Sequence, residues 1–408
     1  MDRPYPDLSD LVDLSDVQRL VLSQIVEDEV IEFHRGLVRI PSINPPGDVR
    51  EAIAYCGAPL AAAGFATETV QDREVMPNLI AKIGNDDGPE LCFNAHVDVV
   101  PTGERSAWSH DPFGAEIEDG RTYGRGAGDD KASVTAQVMA GIALARSGVT
   151  LSGRLIVNEV ADEEVAGIHG AKFITEAGLL TPDYAIVGEQ TLNRVALGEK
   201  GSGGIFITVR GRTAHGALPW EGANAIEAMA EIIVALRREH WPVLERRTHR
   251  YFHHSSASVN TIEGGVKANV VPDHARIYID RRLVPGETPE DVLSEIGEIA
   301  RRAVCEMLGI TVDVEASGHG GAATLQEEDA PLVRAMIGAN RHLRLSTKPT
   351  GFSMATDGRY FARKGIPTII YGPGDPKLAH VPDEWVGIDE VIQATRAYAL
   401  AAVAMLVR

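Results

Sequence analysis

Cysteine is nearly absent from this 408-residue chain: there are three, Cys56, Cys92 and Cys305, and no CxxC pair among them. So few and so far apart, they cannot build a disulfide framework or a thiolate zinc site, and a reducing compartment is expected. No stretch approaches the ~18 consecutive apolar residues of a membrane span. The opening MDRPYPDLSDLVDLSD is acidic and polar where a signal peptide is basic and then apolar. A cytoplasmic protein without a membrane partner is therefore expected. Basic runs are missing as well: 39 Lys and Arg stand against 58 Asp and Glu, a net charge of −19. That charge repels phosphate backbones and anionic lipid surfaces, which argues against a nucleic-acid partner. With neither repeats nor low-complexity tracts, and with 44% hydrophobic and 24% charged residues, the composition is globular and the length suits two domains.

Ser15 with Gln18 predicts a capping box opening a helix from Asp16 to Val38, and Asp48 with Glu51 predicts another ending at Gly64. The apolar runs NLIAKI, ELCFNAHVDVV, RLIVNEV and YAIVGE then alternate with helical stretches, one of them from after Asp130 to Arg146. Near-continuous apolar strands separated by helices predict an α/β domain, a mostly parallel sheet with helices on both faces. After Glu189 the pattern changes. IFITVRG, SASVNTIEGG and HARIYIDRRL alternate as half-exposed antiparallel strands do, among helical stretches at Ala225 to Glu239 and Pro289 to Leu308. An inserted α+β domain over 198–317 is expected, with 1–197 and 318–408 forming the first domain. The α/β pattern resumes near Ala330, with the strand IPTIIYG and a closing helix from Asp389.

Five places carry candidate chemistry. His96 and Asp98 lie on one side of a buried strand end, so the carboxylate can steer the imidazole toward a metal. The segment GRGAGDDK (124–131) opens a helix; it lacks the GxxxxGK[ST] pattern, and Asp129 and Asp130 would repel phosphate. Asp162, Glu163 and Glu164 follow a buried strand, a mutual repulsion that a divalent cation or raised pKa values would relieve. Glu189 closes another strand, and His380 stands in AHVPDEW. Singly, each has a plainer reading: a structural His–Asp pair, a helix cap, a solvated loop. Jointly, His96, Asp129, Glu164, Glu189 and His380 fall at or beyond the carboxyl ends of predicted strands, where open α/β sheets place their sites. Two histidines and three carboxylates suit a two-zinc centre with one bridging carboxylate, and Glu163, left without a metal, is a candidate general base.

The string HVDVVPTGERSAWSHDPFGAEIEDGRTYGRGAGDDK resembles the signature of the dinuclear zinc amidohydrolases that include acetylornithine deacetylase, succinyl-diaminopimelate desuccinylase, aminoacylase and glutamate carboxypeptidase. The likeness continues through ADEEVAG, VGEQ, GRTAHGALPWEGANAI, ANVVPDHARIYIDRRLVPGE, TDGRYF and AHVPDEW, over roughly residues 30 to 400. It implies Asp129 as the bridge, His96 and Glu164 on different zinc ions, and Glu189 and His380 as the remaining ligands, one per ion. It further implies Asp98 orienting His96, Glu163 taking the water proton, His215 reaching the scissile carbonyl, and Asn269 and Arg282 holding a substrate carboxylate. The inserted domain would then be a lid and dimerisation domain, with His215 supplied by the partner chain of a homodimer. Ala132, Asp383, Phe352 and Met354 depart from the family pattern; none is a ligand position.

The expected function is hydrolysis of the amide bond of a small N-acyl amino acid or dipeptide-like compound, with two divalent ions per chain, zinc first and cobalt or manganese as alternatives. A peptidase or hydrolytic deaminase on the same scaffold is the nearest rival. A binding protein retaining the fold is the rival from another class, and a nucleotide-binding enzyme is disfavoured by Asp129 and Asp130.

Overall fold

The structure, a computed structural model, describes residues 11 and 13–407. The Ser15–Gln18 capping box forms: Gln18 N donates to Ser15 Oγ at 3.2 Å and Ser15 N to Gln18 Oε1 at 2.8 Å. The helix it opens, α1 (Asp16–Leu22), is shorter than predicted. Ser23 Oγ donates to the Leu20 carbonyl and Val26 is extended, so α2 (Glu27–Val38) starts as a separate helix. The Asp48–Glu51 capping box does not form. Arg50 holds the Asp48 carboxylate at 2.9 and 2.6 Å, and α3 (Arg50–Ala62) begins after Val49 without a side-chain cap. Gly64, at φ +97°, carries the chain out of that helix through the left-handed region that glycine enters without cost.

The described residues divide into two compact units, one comprising those up to 198, 326–352 and those from 356 on, the other 199–325 with 353–355. The first continues with β1 (Ala66–Val70), β2 (Asn78–Gly84), β3 (Glu90–His96), β4 (Glu116–Glu118), β5 (Arg121–Tyr123), α4 (Lys131–Arg146), β6 (Arg154–Val160), α5 (Ala171–Glu176), β7 (Tyr184–Gly188) and β8 (Ala196–Glu199). The second holds β9 (Gly201–Arg210), β10 (Ala214–His215), α6 (Ala225–Ala235), α7 (Trp241–Leu244), β11 (Ser256–Gly264), β12 (Val270–Val271), β13 (His274–Leu283), α8 (Pro289–Ala303) and β14 (Thr311–Gly321). Back in the first lie α9 (Pro331–His342), β15 (Thr350–Phe352), α10 (Gly358–Arg363), β16 (Thr368–Tyr371), β17 (Trp385–Gly387) and α11 (Ile388–Leu406).

Eight strands of the first unit form one sheet in the order β1-β2-β6-β3-β7-β16-β8-β15. Its centre, β6-β3-β7-β16, is parallel, as the apolar runs predict, while β1–β2, β2–β6 and β16–β8 pair antiparallel. Alternation along β3 sends Cys92 into the cluster with Ile174 of α5 and Phe361 of α10, and sends Phe93 the other way, where its ring meets Tyr398 of α11 at 4.9 Å. Packed against β3, β6 and β7 of the sheet and against α2, α3 and α11, α4 is buried at every residue from Lys131 to Leu144. A helix buried on every side belongs to an interior. Its polar residues are accommodated there: Lys131 Nζ donates to Ile40 O at 2.6 Å, and Gln137 Nε2 to Asn94 O at 3.1 Å.

The second unit is a four-stranded antiparallel sheet, β11-β13-β9-β14, with α6 and α8 packed on it. Strict alternation along β13 buries Ala275, Ile277, Ile279, Arg281 and Leu283. Ile205, Ile207 and Val209 of β9 join this apolar core with Ile232 of α6 and Ile296 of α8. The helix expected over Ala225 to Glu239 passes at Leu236–His240 into a π turn, and α8 ends at Ala303, short of Leu308. Among the described residues no helix is long and apolar enough to cross a membrane.

Candidate metal centre

Because β6, β3 and β7 are adjacent and parallel, with His96 level with Val160, their carboxyl ends open on one edge of the sheet. His96 is the last residue of β3, Glu163 and Glu164 form the 3-10 turn just beyond β6, and Glu189 is the residue after β7. Asp129 comes from the loop before α4, and His380 from the loop between β16 and β17, at φ +65°. All five side chains singled out as ligands converge. They form two triads, His96–Asp129–Glu189 and Asp129–Glu164–His380, each with its ligand atoms within 4.8 Å of one another. Asp129 belongs to both. Its Oδ1 lies 3.2 Å from His96 Nε2 and its Oδ2 3.3 Å from His380 Nε2, which is also 3.0 Å from Glu164 Oε2.

The electrostatics show what the cluster lacks. Burial pushes Glu189 well above the ordinary carboxylate range, reinforced by the charge of Asp129, and pushes Glu164 up to about 7 for the same two reasons. Hydrogen bonds donated to Asp129 and then to Glu164 raise His380 to about 10. For His96, burial opposes protonation, yet its bonds to Asp129 and Asp98 hold its pKa well above normal. Asp129 itself is pulled below the carboxylate range, against burial, by His380 and His96. Raised histidines beside raised Glu164 and Glu189 are the signature of crowded carboxylates, whose repulsion a divalent cation would relieve. Glu164 Oε1 is in addition buried without a hydrogen-bond partner. Neutral imidazoles, carboxylates and a carboxylate facing both sides fit a pair of borderline divalent ions such as zinc.

Asp98 does more than face His96. The His96 Nδ1 lies 3.0 Å from the Asp98 carbonyl oxygen and 3.5 Å from its carboxylate. That carboxylate accepts the backbone N–H groups of Glu163 and Glu164 at 3.2 and 3.3 Å and Asn44 Nδ2 at 2.9 Å. Asn44, which the sequence did not single out, reaches Asp162 as well, at 3.1 Å, and so helps to hold the turn that presents both glutamates. Burial raises Glu163 above the ordinary range, opposed by His96 and Arg359.

The remaining candidates lie in the second unit. His215 and Asn269 meet on the β10–β12 ribbon, where Gly216 N donates to Asn269 O at 2.8 Å; both side chains are exposed. His215 Nδ1 accepts the Ala217 N–H at 3.1 Å. Arg282 is partly exposed on β13 and forks onto Asp280 at 2.8 and 3.0 Å, while its neighbour Arg281 is buried against Glu287. Asp383, the departure beside His380, accepts the N–H groups of Ser109 and His110 at 2.8 and 3.1 Å, a task that suits a carboxylate.

A parallel sheet that delivers histidines and carboxylates to its carboxyl edge is the architecture of a metallohydrolase. The chain belongs to peptidase family M20/M25/M40, whose sequence profile matches residues 92–404, and is a hydrolase acting on amide bonds. It is 31% identical over 385 residues to a succinyl-diaminopimelate desuccinylase of Methylobacterium radiotolerans, covering 91% of this chain and 95% of that one. Its fold matches a tripeptidase of Staphylococcus aureus with a TM-score of 0.75 at 21% identity, over 94% of this chain and 99% of that one. It also matches the YXEP protein of Bacillus subtilis, a dinuclear metal-binding peptidase of the M20 family, with a TM-score of 0.70 at 17% identity over 93% and 98%.

Proposed function

We propose that this protein is a two-metal deacylase that hydrolyses the amide bond of a small N-acyl amino acid, of desuccinylase or deacetylase type. The observation that carries the reading is Asp129, one carboxylate facing two ligand triads. His96 and Glu189 would hold one ion, Glu164 and His380 the other, with Asp129 between them. When bound, the ions supply Lewis acidity to the scissile carbonyl and acidify water. Zinc suits the donors best; cobalt or manganese would bind the same set.

Glu163 stands beside the triads in a burial-raised state that suits proton transfer. It takes the proton from water as the oxygen attacks the carbonyl carbon and returns it to the nitrogen as the C–N bond breaks, leaving a carboxylate and a free amine. His215 would donate to the carbonyl oxygen as negative charge develops there, and Arg282 would hold a substrate carboxylate with Asn269. The fork onto Asp280 uses the Nε edge of Arg282 and leaves its Nη1 side for a second partner. In this reading the second unit is a lid and dimerisation domain, the protein acts as a homodimer, and it works in the cytoplasm. Three unpaired cysteines, Cys56 and Cys92 buried and Cys305 exposed, accord with a reducing compartment.

A panel of N-succinyl, N-acetyl and N-carbamoyl amino acids and dipeptides, assayed before and after chelation, tests the reading. Hydrolysis of one acyl class that chelation abolishes and zinc restores is expected, as is a fall in kcat of ~10²- to 10⁴-fold in Glu163→Gln with metal content unchanged. Undiminished turnover in chelated protein would dismiss the metals; kcat within a few-fold in Glu163→Gln would dismiss that base.

A further inference from the structure

The glycine-rich segment GRGAGDDK has a use that is not a phosphate cradle. It follows β5, and the loop that carries His380 precedes β17; the two strands pair antiparallel, with Tyr123 opposite Trp385. The ladder is continued by Gly124 N donating to Glu384 O at 2.9 Å. From there the loops exchange side chains in both directions. Glu384 Oε1 accepts the N–H groups of Gly128 and Asp129 at 2.9 and 3.0 Å. Its Oε2 takes Arg125 Nη1 at 2.5 Å, and the same nitrogen donates to the carbonyl of Val381, next to His380, at 3.3 Å.

Arg125 and Glu384 are 2% and 0% exposed, so neither charge could be tolerated there alone. The glycines shape the receptor: Gly124 and Gly126 lie at φ +154° and +79°, and a Cβ on Gly128 would collide with the Gln190 amide. Successive N–H groups turned inward form an anion-receiving hollow. Its anion is the chain's own carboxylate.

We infer that Arg125 and Glu384 are positioning residues that clasp the Asp129 loop to the His380 loop and thereby fix the triad Asp129–Glu164–His380. The inference rests on the two-metal reading above and concerns residues that touch no ligand atom of it. Metal-free protein is titrated with Co(II) by equilibrium dialysis, with the visible absorption of the bound ion recorded, for the unsubstituted chain, Glu384→Gln, Glu384→Ala and Arg125→Lys. Residues that orient metal ligands typically govern affinity by ~10- to 100-fold. Glu384→Ala is expected to weaken Co(II) binding within that range and to alter the absorption band. Glu384→Gln, which keeps an acceptor oxygen for the two N–H groups but loses the charge, should fall between. Rescue by the amide would not follow from a general loss of stability, which melting of the metal-free proteins records separately. If Glu384→Ala does not fold, Glu384→Gln and Arg125→Lys decide. Affinities within twofold of the unsubstituted chain, with unchanged absorption, overturn the clasp while leaving the metal reading intact. No Co(II) bound by the unsubstituted chain overturns both.

Discussion

His34 on α2 is a histidine that the interior keeps neutral. It is buried with Nε2 at 2.8 Å from Ala127 O, and burial, aided by the Lys131 charge and opposed by that bond, lowers its pKa from 6.5 to about 4. Below pH 6.5 the unfolded chain takes up a proton that the folded chain refuses. Stability from this residue is therefore complete above about pH 6.5 and is lost as the pH falls toward about 4, at up to ~1.4 kcal/mol per pH unit. Denaturant unfolding between pH 7.5 and 5 should show a shallower dependence in His34→Gln than in the unsubstituted protein; parallel curves would assign the pH dependence elsewhere. The same contrast explains what was legible residue by residue. His96, Asp129, Glu164, Glu189 and His380 could be picked out because metal chemistry demands particular side chains at strand ends. His34, Arg125 and Glu384 could not, because their partners include backbone groups, which any sequence carries and only folding brings near, and Asn44 could not because its partners Asp98 and Asp162 lie 54 and 118 residues away.

At the level of elements, β7 meets α4 at Gly188, immediately before Glu189. A Cβ there would lie 2.5 Å from Ser133 Cβ and 2.9 Å from Ala95 Cβ, both on buried elements that have nowhere to retreat. Gly188→Ala should therefore lower stability by ~1 to 3 kcal/mol, the usual cost of overpacking, read as a lower denaturant midpoint; an unchanged midpoint would mean that α4 can shift. The central parallel strands were readable because burial on both faces leaves near-continuous apolar runs. The antiparallel margins were not, since β2 reads NLIAKIG with the same apolar density as its parallel neighbours. The break between α1 and α2 is not legible in the sequence because Ile25 and Val26 keep the apolar rhythm going across it. Nor is β14, because its end runs through Gly318, Gly320 and Gly321 with a register shift after Ala316.

For the molecule as a whole, the second unit exposes Trp220 at 71%, Ile262 at 62% and Val266 at 85%, and β11 is an edge strand of its sheet. Unpaired edges and exposed apolar side chains are what a two-fold interface would cover, which supports the proposed homodimer with His215 acting in the partner's site. Mixing inactive Glu163→Gln chains with inactive His215→Ala chains should restore hydrolysis, since one site of each mixed dimer then contains both residues intact. Demonstrated subunit exchange without recovery would assign His215 to its own chain. Within the first unit, the helix that has no solvent face has a consequence in time. Amide hydrogens of α4 can reach water only when the sheet, α2, α3 and α11 separate from it, so Val134 to Leu144 should be among the last to take up deuterium. The loop bearing Asp129 is thus tethered at its carboxyl end to the slowest-opening part of the fold, while its amino end enters from the short strand β5, so breathing there should begin on the β5 side.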